Sequence, residues 1–410
     1  MDTPPSRTLF GIENTDQVHR SGFRERLVMR WAEKLAAGRL TIEFPSGARK
    51  DFEGATPGPH AMLTIKDLDV VIRLLFAGDI GFAEGYMAGE WETPDLSTLL
   101  TFGALNRPAV SGALGRPGIV SFLNRIRHGL RANTPKGSRR NIAAHYDLGN
   151  DFYGLWLDET MTYSSALFTC MDTPMATAQR DKYLRIAAAL DLRPGDRVLE
   201  IGCGWGGFAE IAAQEFGCQV LCLTLSAEQA SYARERMDRA GLMDRVEIRV
   251  QDYREITGEY DKIVSIEMFE AVGEPYWRIY LEQLKALLKP GGKAALQIIT
   301  IDDDHFRAYR RDPDFVQRYI FPGGMLPSPE AFTAVVAERG LTITDRFFFG
   351  SSYAETMRRW HHGFQENWHE ISKLGFDNRF YRMWRYYMAY CEAGFETGII
   401  DVGQFVIERK

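Results

Sequence analysis

The run RVLEIGCGWGGF, Arg197 to Phe208, is where this chain could hold a nucleotide-type cofactor. An apolar stretch leads directly into Gly202, Gly204, Gly206 and Gly207, and a helical pattern follows. Glycine lets a backbone turn sharply and approach a ligand closely, and a helix N-terminus favours a carboxylate or phosphate. The spacing after the strand is G-x-G-x-G-G rather than the G-x-G-x-x-G of dinucleotide folds, and Glu200 stands just before the first glycine. The next strand-like run ends in Thr224, with no acid placed to hold a ribose as NAD proteins usually have.

The elements that must position this loop can be read from hydrophobic periodicity. Strand-like runs at Arg197 to Ile201, Gln219 to Thr224, Val246 to Gln251, Lys262 to Ile266 and Lys293 to Ile299 alternate with helical stretches near Gly207 to Glu215, Ala227 to Arg239 and Tyr276 to Leu288. Strands alternating with helices predict a parallel sheet covered on both faces, with the ligand beyond the carboxyl ends of the strands near the switch in strand order. A Pro-Gly-Gly turn in KALLKPGGKAALQIIT, Lys285 to Thr300, precedes the last of these strands. Together these features resemble the class I S-adenosylmethionine methyltransferase fold, which implies an α/β class with a Rossmann-like, mixed and mostly parallel sheet. A smaller α+β domain is expected before it, from one strand-like alternation at Leu40 to Phe44 and a helix-like stretch around Lys66 to Phe76.

With 410 residues, 45% hydrophobic and 25% charged, the chain can bury a large core and fill two domains. A non-catalytic N-terminal domain is expected over residues 1–115, a basic linker over 116–140 and a catalytic domain over 141–410. No run of about 18 uncharged apolar residues occurs, and MDTPPSRTLF lacks the blocks of a secretion signal, so a cytoplasmic protein is expected. Cys170, Cys203, Cys218, Cys222 and Cys391 are scattered, suggesting neither a disulfide framework nor a zinc site, and no metal is expected. A net charge of −6 argues against nucleic acid as the main partner. The linker differs: Ile119 to Leu130 has apolar residues at helical spacing, and no acid occurs from Ile119 through Tyr146, while Arg125, Arg127, Arg131, Lys136, Arg139 and Arg140 are cationic. This segment could dock on an anionic membrane surface, each cation contributing roughly 1 kcal/mol, or be an interdomain helix with a solvated basic face.

The blocks NIAAHYDLGNDFY (Asn141 to Tyr153), MTYSSALF (Met161 to Phe168), VLEIGCGWGG (Val198 to Gly207), LTLSAEQ (Leu223 to Gln229), MFEAVG (Met268 to Gly273), RYIFPGGMLPS (Arg318 to Ser328) and RMWRYYMAYCEAGF (Arg382 to Phe395) follow one another in order. They resemble the cyclopropane fatty acid synthase family, which includes the mycolic acid cyclopropane synthases. The stretch GDIGFAEGYMAGEW, Gly78 to Trp91, resembles the N-terminal domain of its full-length bacterial members. By this resemblance, Tyr163 and Ser164 contact the methionine part of S-adenosylmethionine, and Gly202, Cys203 and Gly204 pass beneath it. Thr224, Leu225 and Gln229 hold its ribose side, and Tyr253 flanks the adenine. The implied reaction adds a one-carbon unit to the cis double bond of an unsaturated membrane phospholipid, on the inner face of the membrane, and the implied assembly is a homodimer.

Methyl transfer to an alkene leaves a carbocation that water would quench, so the pocket must be dry and lined with aromatic faces. In the family a bound bicarbonate is thought to take the cation's proton. Its ligands map to Ser165 (a cysteine in the family), Glu270, Gln297 (a histidine in the family), Ile299 through its backbone, and Tyr353; a further active-site tyrosine and histidine map to Tyr153 and His145. Serine and glutamine can still hydrogen-bond an oxyanion, but glutamine cannot carry charge or shuttle a proton as histidine could. Glu267 adds a carboxylate where the family commonly has a small residue. If its segment is helical, Glu267 and Glu270 lie within one turn and could act together as a base; alternatively Glu267 binds the cofactor or faces solvent. Proton loss from the added methyl gives the expected cyclopropane, and loss from a neighbouring carbon gives a methyl-branched or methylated unsaturated chain. A small-molecule methyltransferase and an inactive lipid-binding subunit are the competing readings.

Overall fold

The computed structural model describes residues 22–107 and 148–409. The expected linker, its basic helix, both expected domain boundaries and His145 lie outside the described residues. The N-terminal unit contains α1 (Phe23–Ala32), β1 (Ala37–Glu43), β2 (Arg49–Glu53), β3 (Thr56–Ile65), α2 (Asp69–Ala88), β4 (Trp91–Glu92) and α3 (Leu96–Leu105). Its sheet runs β2-β1-β3-β4, with β1 and β3 parallel. The expected strand and helix are β1 and α2. β2 and β3 escape the pattern because RKDFE and TPGPHAMLTI are polar or broken by Gly and Pro. α2 outruns its apolar stretch through a kink at Gly78, where φ 58 and ψ −137 are open only to glycine.

The second unit opens with α4 (Asn150–Gly154) and α5 (Met175–Leu190), then alternates through β5 (Arg197–Ile201), α6 (Gly207–Gln214), β6 (Gln219–Thr224), α7 (Ala227–Arg239), β7 (Val246–Val250), β8 (Tyr260–Ile266), α8 (Trp277–Leu287) and β9 (Leu288–Ile301). It continues through α9 (Asp303–Tyr309), α10 (Phe315–Tyr319), α11 (Pro329–Glu338), β10 (Thr342–Phe348), α12 (Gly350–Glu366), α13 (Trp368–Lys373), α14 (Asn378–Glu396) and β11 (Ile400–Glu408). The sheet order is β10-β11-β9-β8-β5-β6-β7, parallel from β9 to β7, with β11 antiparallel to both its neighbours, so that β10 runs in the direction of the other strands. The order reverses between β5 and β8, so the crevice at their carboxyl ends is the natural ligand site. Lys289 to Gly292 does not separate a helix from a strand as expected; it is an irregularity inside β9, where pairing passes from Tyr260–Leu288 to Lys262–Lys293.

The two units share one apolar core. Trp91 and Phe102 belong to the same buried cluster as Trp360, Trp384 and Tyr386, and α14 packs on both α2 and α3. Polar ties accompany it: Ser97 donates to Glu392 at 2.6 Å, Arg382 donates to Glu92 at 2.7 Å, and Tyr319 donates to Glu84 at 2.5 Å. Among the described residues no helix is long and apolar enough to cross a membrane.

Candidate active site

The turn after β5 is built as the glycines predict. Gly202, Gly204 and Gly206 have φ of 84, 52 and 85, and Gly206 caps α6. A Cβ on Gly202 would come within 2.8 Å of Met268 Cγ, so only glycine fits there. A Cβ on Gly204 would meet nothing within 4 Å, which leaves that backbone open to the cavity above it.

That cavity has a volume of about 850 Å³. Every residue expected around the cofactor lines it: Tyr163, Ser164, Gly202, Cys203, Gly204, Thr224, Leu225, Gln229 and Tyr253. The local order is set by short polar contacts. Ser226 caps α7 by accepting from Gln229 N–H at 3.2 Å, and the Thr224 hydroxyl donates to Gln229 Oε1 at 3.0 Å. Tyr163 and Tyr387 share a hydroxyl contact of 2.9 Å. The open glycine turn and this polar rim fit the methionine and ribose parts of S-adenosylmethionine. Burial pushes Glu200, at the floor of the turn, up to about 8.

Of the residues expected at the reacting centre, Glu267, Glu270 and Ile299 line the cavity. Ser165 and Gln297 are buried behind Glu267. Tyr153 is buried in an aromatic cluster, its ring 5.3 Å from Tyr163 and 5.2 Å from Trp205. The expectation that the two glutamates share a helical turn is corrected. Glu267 stands alone after β8 with a left-handed backbone, φ 51, and only Phe269 to Ala271 form a short 3-10 turn. A glutamate at positive φ is uncommon, and small residues suit such a position better.

The side chain of Glu267 is fully engaged. Its Oε1 accepts from Ser165 N–H at 2.8 Å and Gln297 Nε2 at 2.7 Å, and its Oε2 accepts from the Tyr353 hydroxyl at 2.6 Å. The alternative that Glu267 faces solvent is thereby excluded. Burial raises its carboxyl, while Tyr353, the Lys182 charge, Ser165 and Gln297 pull it back down. Glu270 has less support: Oε1 accepts from Ile299 N–H at 2.5 Å, and Oε2 has no partner among the described residues. Burial, reinforced by the negative charge of Glu267, pushes Glu270 up to about 8. Near neutral pH Glu270 is therefore mostly the neutral acid, while Glu267 is the carboxyl group with more donors to favour its charged form.

Three contributors were not read from the sequence. Lys182 is buried in α5, where its Nζ donates to Ser164 Oγ at 2.7 Å and Gln179 Oε1 at 2.6 Å; burial brings it down to about 7, against the attraction of Glu267. A signal existed, since Lys182 falls in helical register with Ala178, Ile186 and Leu190 on the buried face. Gln404, on β11, donates to Gln297 Oε1 at 3.1 Å and accepts from Arg185 at 2.8 Å, which fixes the Gln297 amide with Nε2 toward Glu267. Trp205 lines the cavity and donates to Asn150 at 2.7 Å.

The other end of the cavity is mostly apolar and comes largely from the N-terminal unit, with Arg30, Lys34, Asp79 and Arg107 also in its wall. Leu75 and Phe82 of α2 line it, facing Tyr386 and Tyr387 of α14 and Phe321. The unit expected to be non-catalytic thus forms part of the cavity wall. Of the aromatics in the C-terminal third, Tyr386 and Tyr387 line the cavity, whereas Phe349, Trp360, Phe364 and Trp384 are buried core and Phe348 is exposed.

Comparison with known proteins agrees with this geometry. Residues 133–405 match the family described as mycolic acid cyclopropane synthetase. A tuberculostearic acid methyltransferase of Mycobacterium tuberculosis is 42% identical over 81% of this chain and 79% of its own. A cyclopropane-fatty-acyl-phospholipid synthase of Escherichia coli is 35% identical over 90% of this chain and 93% of its own. The crystal structure of a mycolic acid cyclopropane synthase complexed with SAH and CTAB superposes with a TM-score of 0.62 at 30% identity, covering 66% of this chain and 98% of the other. The open glycine turn, the carboxylates above it and these matches together mean that the chain belongs to the mycolic acid cyclopropane synthetase family, as an S-adenosylmethionine-dependent methyltransferase of the cyclopropane synthase type.

Proposed function

We propose that this enzyme adds a one-carbon unit to the cis double bond of an unsaturated acyl chain in a membrane phospholipid, through a carbocation that closes to a cyclopropane. The observation carrying this reading is a single cavity that runs from the glycine turn to the apolar end between Leu75, Phe82 and Tyr387. A hydrocarbon tail entered from that end would reach the turn through apolar surroundings. The name of the Escherichia coli relative supports a phospholipid substrate. S-adenosylmethionine, when bound, supplies an electrophilic methyl group.

The chain's own residues must align the weakly nucleophilic alkene and keep water from the cation. The rings of Tyr163, Tyr387 and Phe321 offer faces that attract positive charge, and Glu267 brings a negative one. In the same reading, the basic linker holds the enzyme on the anionic inner face of the membrane, as a peripheral homodimer.

A second product is favoured by two observations. The Ser165 and Gln297 groups expected to hold the proton-accepting ion are hydrogen-bonded to Glu267, and the 42% identical relative is named a tuberculostearic acid methyltransferase. Proton loss from a chain carbon beside the cation would leave a methyl-branched chain that keeps a C=C bond, and a hydride shift before proton loss from the methyl would leave a methylene. Incubation with methyl-labelled S-adenosylmethionine and vesicles of unsaturated phosphatidylglycerol tests both. Label in the acyl fraction is expected, and fragmentation after hydrogenation separates ring from branch. Label confined to small acceptors, with none in acyl chains, would overturn the lipid reading.

A further inference from the structure

The anion seat at the reacting centre does not fit a free bicarbonate in this chain. Three donors converge there: the Ser165 N–H, the Gln297 amide and the Tyr353 hydroxyl. All three are taken by one side-chain carboxylate at 2.6 to 2.8 Å, and that carboxylate comes from Glu267. A second anion there would meet unscreened repulsion from Glu267 in a region of low dielectric. The donors are themselves held: Gln404 orients Gln297, and Ser165 is fully buried.

We propose that Glu267 is the seat's built-in occupant and the enzyme's own proton acceptor, so that the reaction proceeds without added bicarbonate. This rests on the alkene-methylation reading above. In the step, the methyl has already bonded to one alkene carbon and the positive charge lies on the other. A C–H bond of the methyl or of a neighbouring carbon breaks. Its electron pair forms the ring C–C bond or a new C=C bond, and the proton goes to a Glu267 oxygen. The resulting carboxylic acid returns that proton to solvent once the product leaves, which balances the positive charge lost by the sulfonium. Lys182, in the layer behind with Ser164 and Gln179, favours the charged form of the carboxylate whenever it is itself protonated. The left-handed backbone at Glu267 means a glycine is tolerated there, so the seat can be emptied without strain.

The test compares wild type, Glu267→Gln and Glu267→Gly in carbon-dioxide-free buffer with and without sodium bicarbonate, with cofactor binding followed by calorimetry as a check on folding. Wild-type turnover unchanged by bicarbonate is expected, with a loss of about 100-fold or more in Glu267→Gln, within the range general bases supply. Wild-type turnover that falls in depleted buffer and returns with bicarbonate would overturn the proposal, as would Glu267→Gln within threefold of wild type. Carbon-13 NMR of labelled bicarbonate adds a readout independent of turnover. Binding to Glu267→Gly but not to wild type is expected; binding to wild type would overturn the proposal. If wild type methylates no acyl chain, the lipid reading fails, and the NMR comparison still decides who occupies the seat.

Discussion

The Tyr353 hydroxyl donates to Glu267 Oε2 at 2.6 Å, joining α12 to the end of β8 across 86 residues of sequence. Tyr353 is buried, stacks on Phe395 at 4.3 Å between centroids, and has its own ionisation pushed far up by burial, so it is a permanent donor. Its bond is the first of the influences that hold Glu267 down against burial.

Tyr353→Phe should therefore raise the Glu267 carboxyl. A base must be ionised to act, so the acid limb of the kcat/KM profile should move to higher pH, and the maximal rate should fall by roughly tenfold, the scale of one hydrogen bond to a charged group. Rates of labelled methyl transfer across pH measure this. An unmoved limb would separate Tyr353 from the ionisation of Glu267.

Glu270 is held up to about 8, above its ordinary 4.5, so the folded chain keeps a proton that the unfolded chain releases. Its contribution to stability is then fully present below about 4.5 and is lost as pH rises through about 8. Glu270→Gln should flatten the fall in thermal stability across this window, read by melting from pH 5 to pH 9. Glu200 titrates over the same window and will leave a residual slope.

Leu75 lines the apolar end of the cavity from the N-terminal unit. Leu75→Trp should fill part of that space. Calorimetry should find S-adenosylmethionine affinity unchanged, whereas transfer to vesicle lipid should fall by about tenfold or more, the scale of a lost or displaced apolar contact. Equal transfer by the variant would mean that the acyl chain takes another route.

Replacing Arg125, Arg127 and Arg131 with Ser should weaken co-sedimentation with anionic vesicles, most at low salt, where surface charges are least screened. Unchanged binding would assign the segment to packing between the units.

The sequence by itself determined the parallel half of the sheet, the glycine turn and the family. Apolar runs of period two and helical runs of period 3.6 carry that information locally, and positive-φ sites such as Gly202 can be named from composition alone. The resemblance also named residues that line the cavity, Gly202 to Gly204 and Thr224 among them at the ends of those strands. Only the tertiary structure decided the surroundings of Glu267 and Glu270. Their spacing suggested a shared helical turn, but ionisation depends on which donors arrive from elsewhere: the Ser165 loop, Gln297 on β9 and Tyr353 on α12 for one, a single backbone N–H for the other. Lys182, Gln404 and the wall given by α2 were hidden for the same reason. Burial and electrostatic coupling arise between segments far apart in the chain, and no local pattern encodes them.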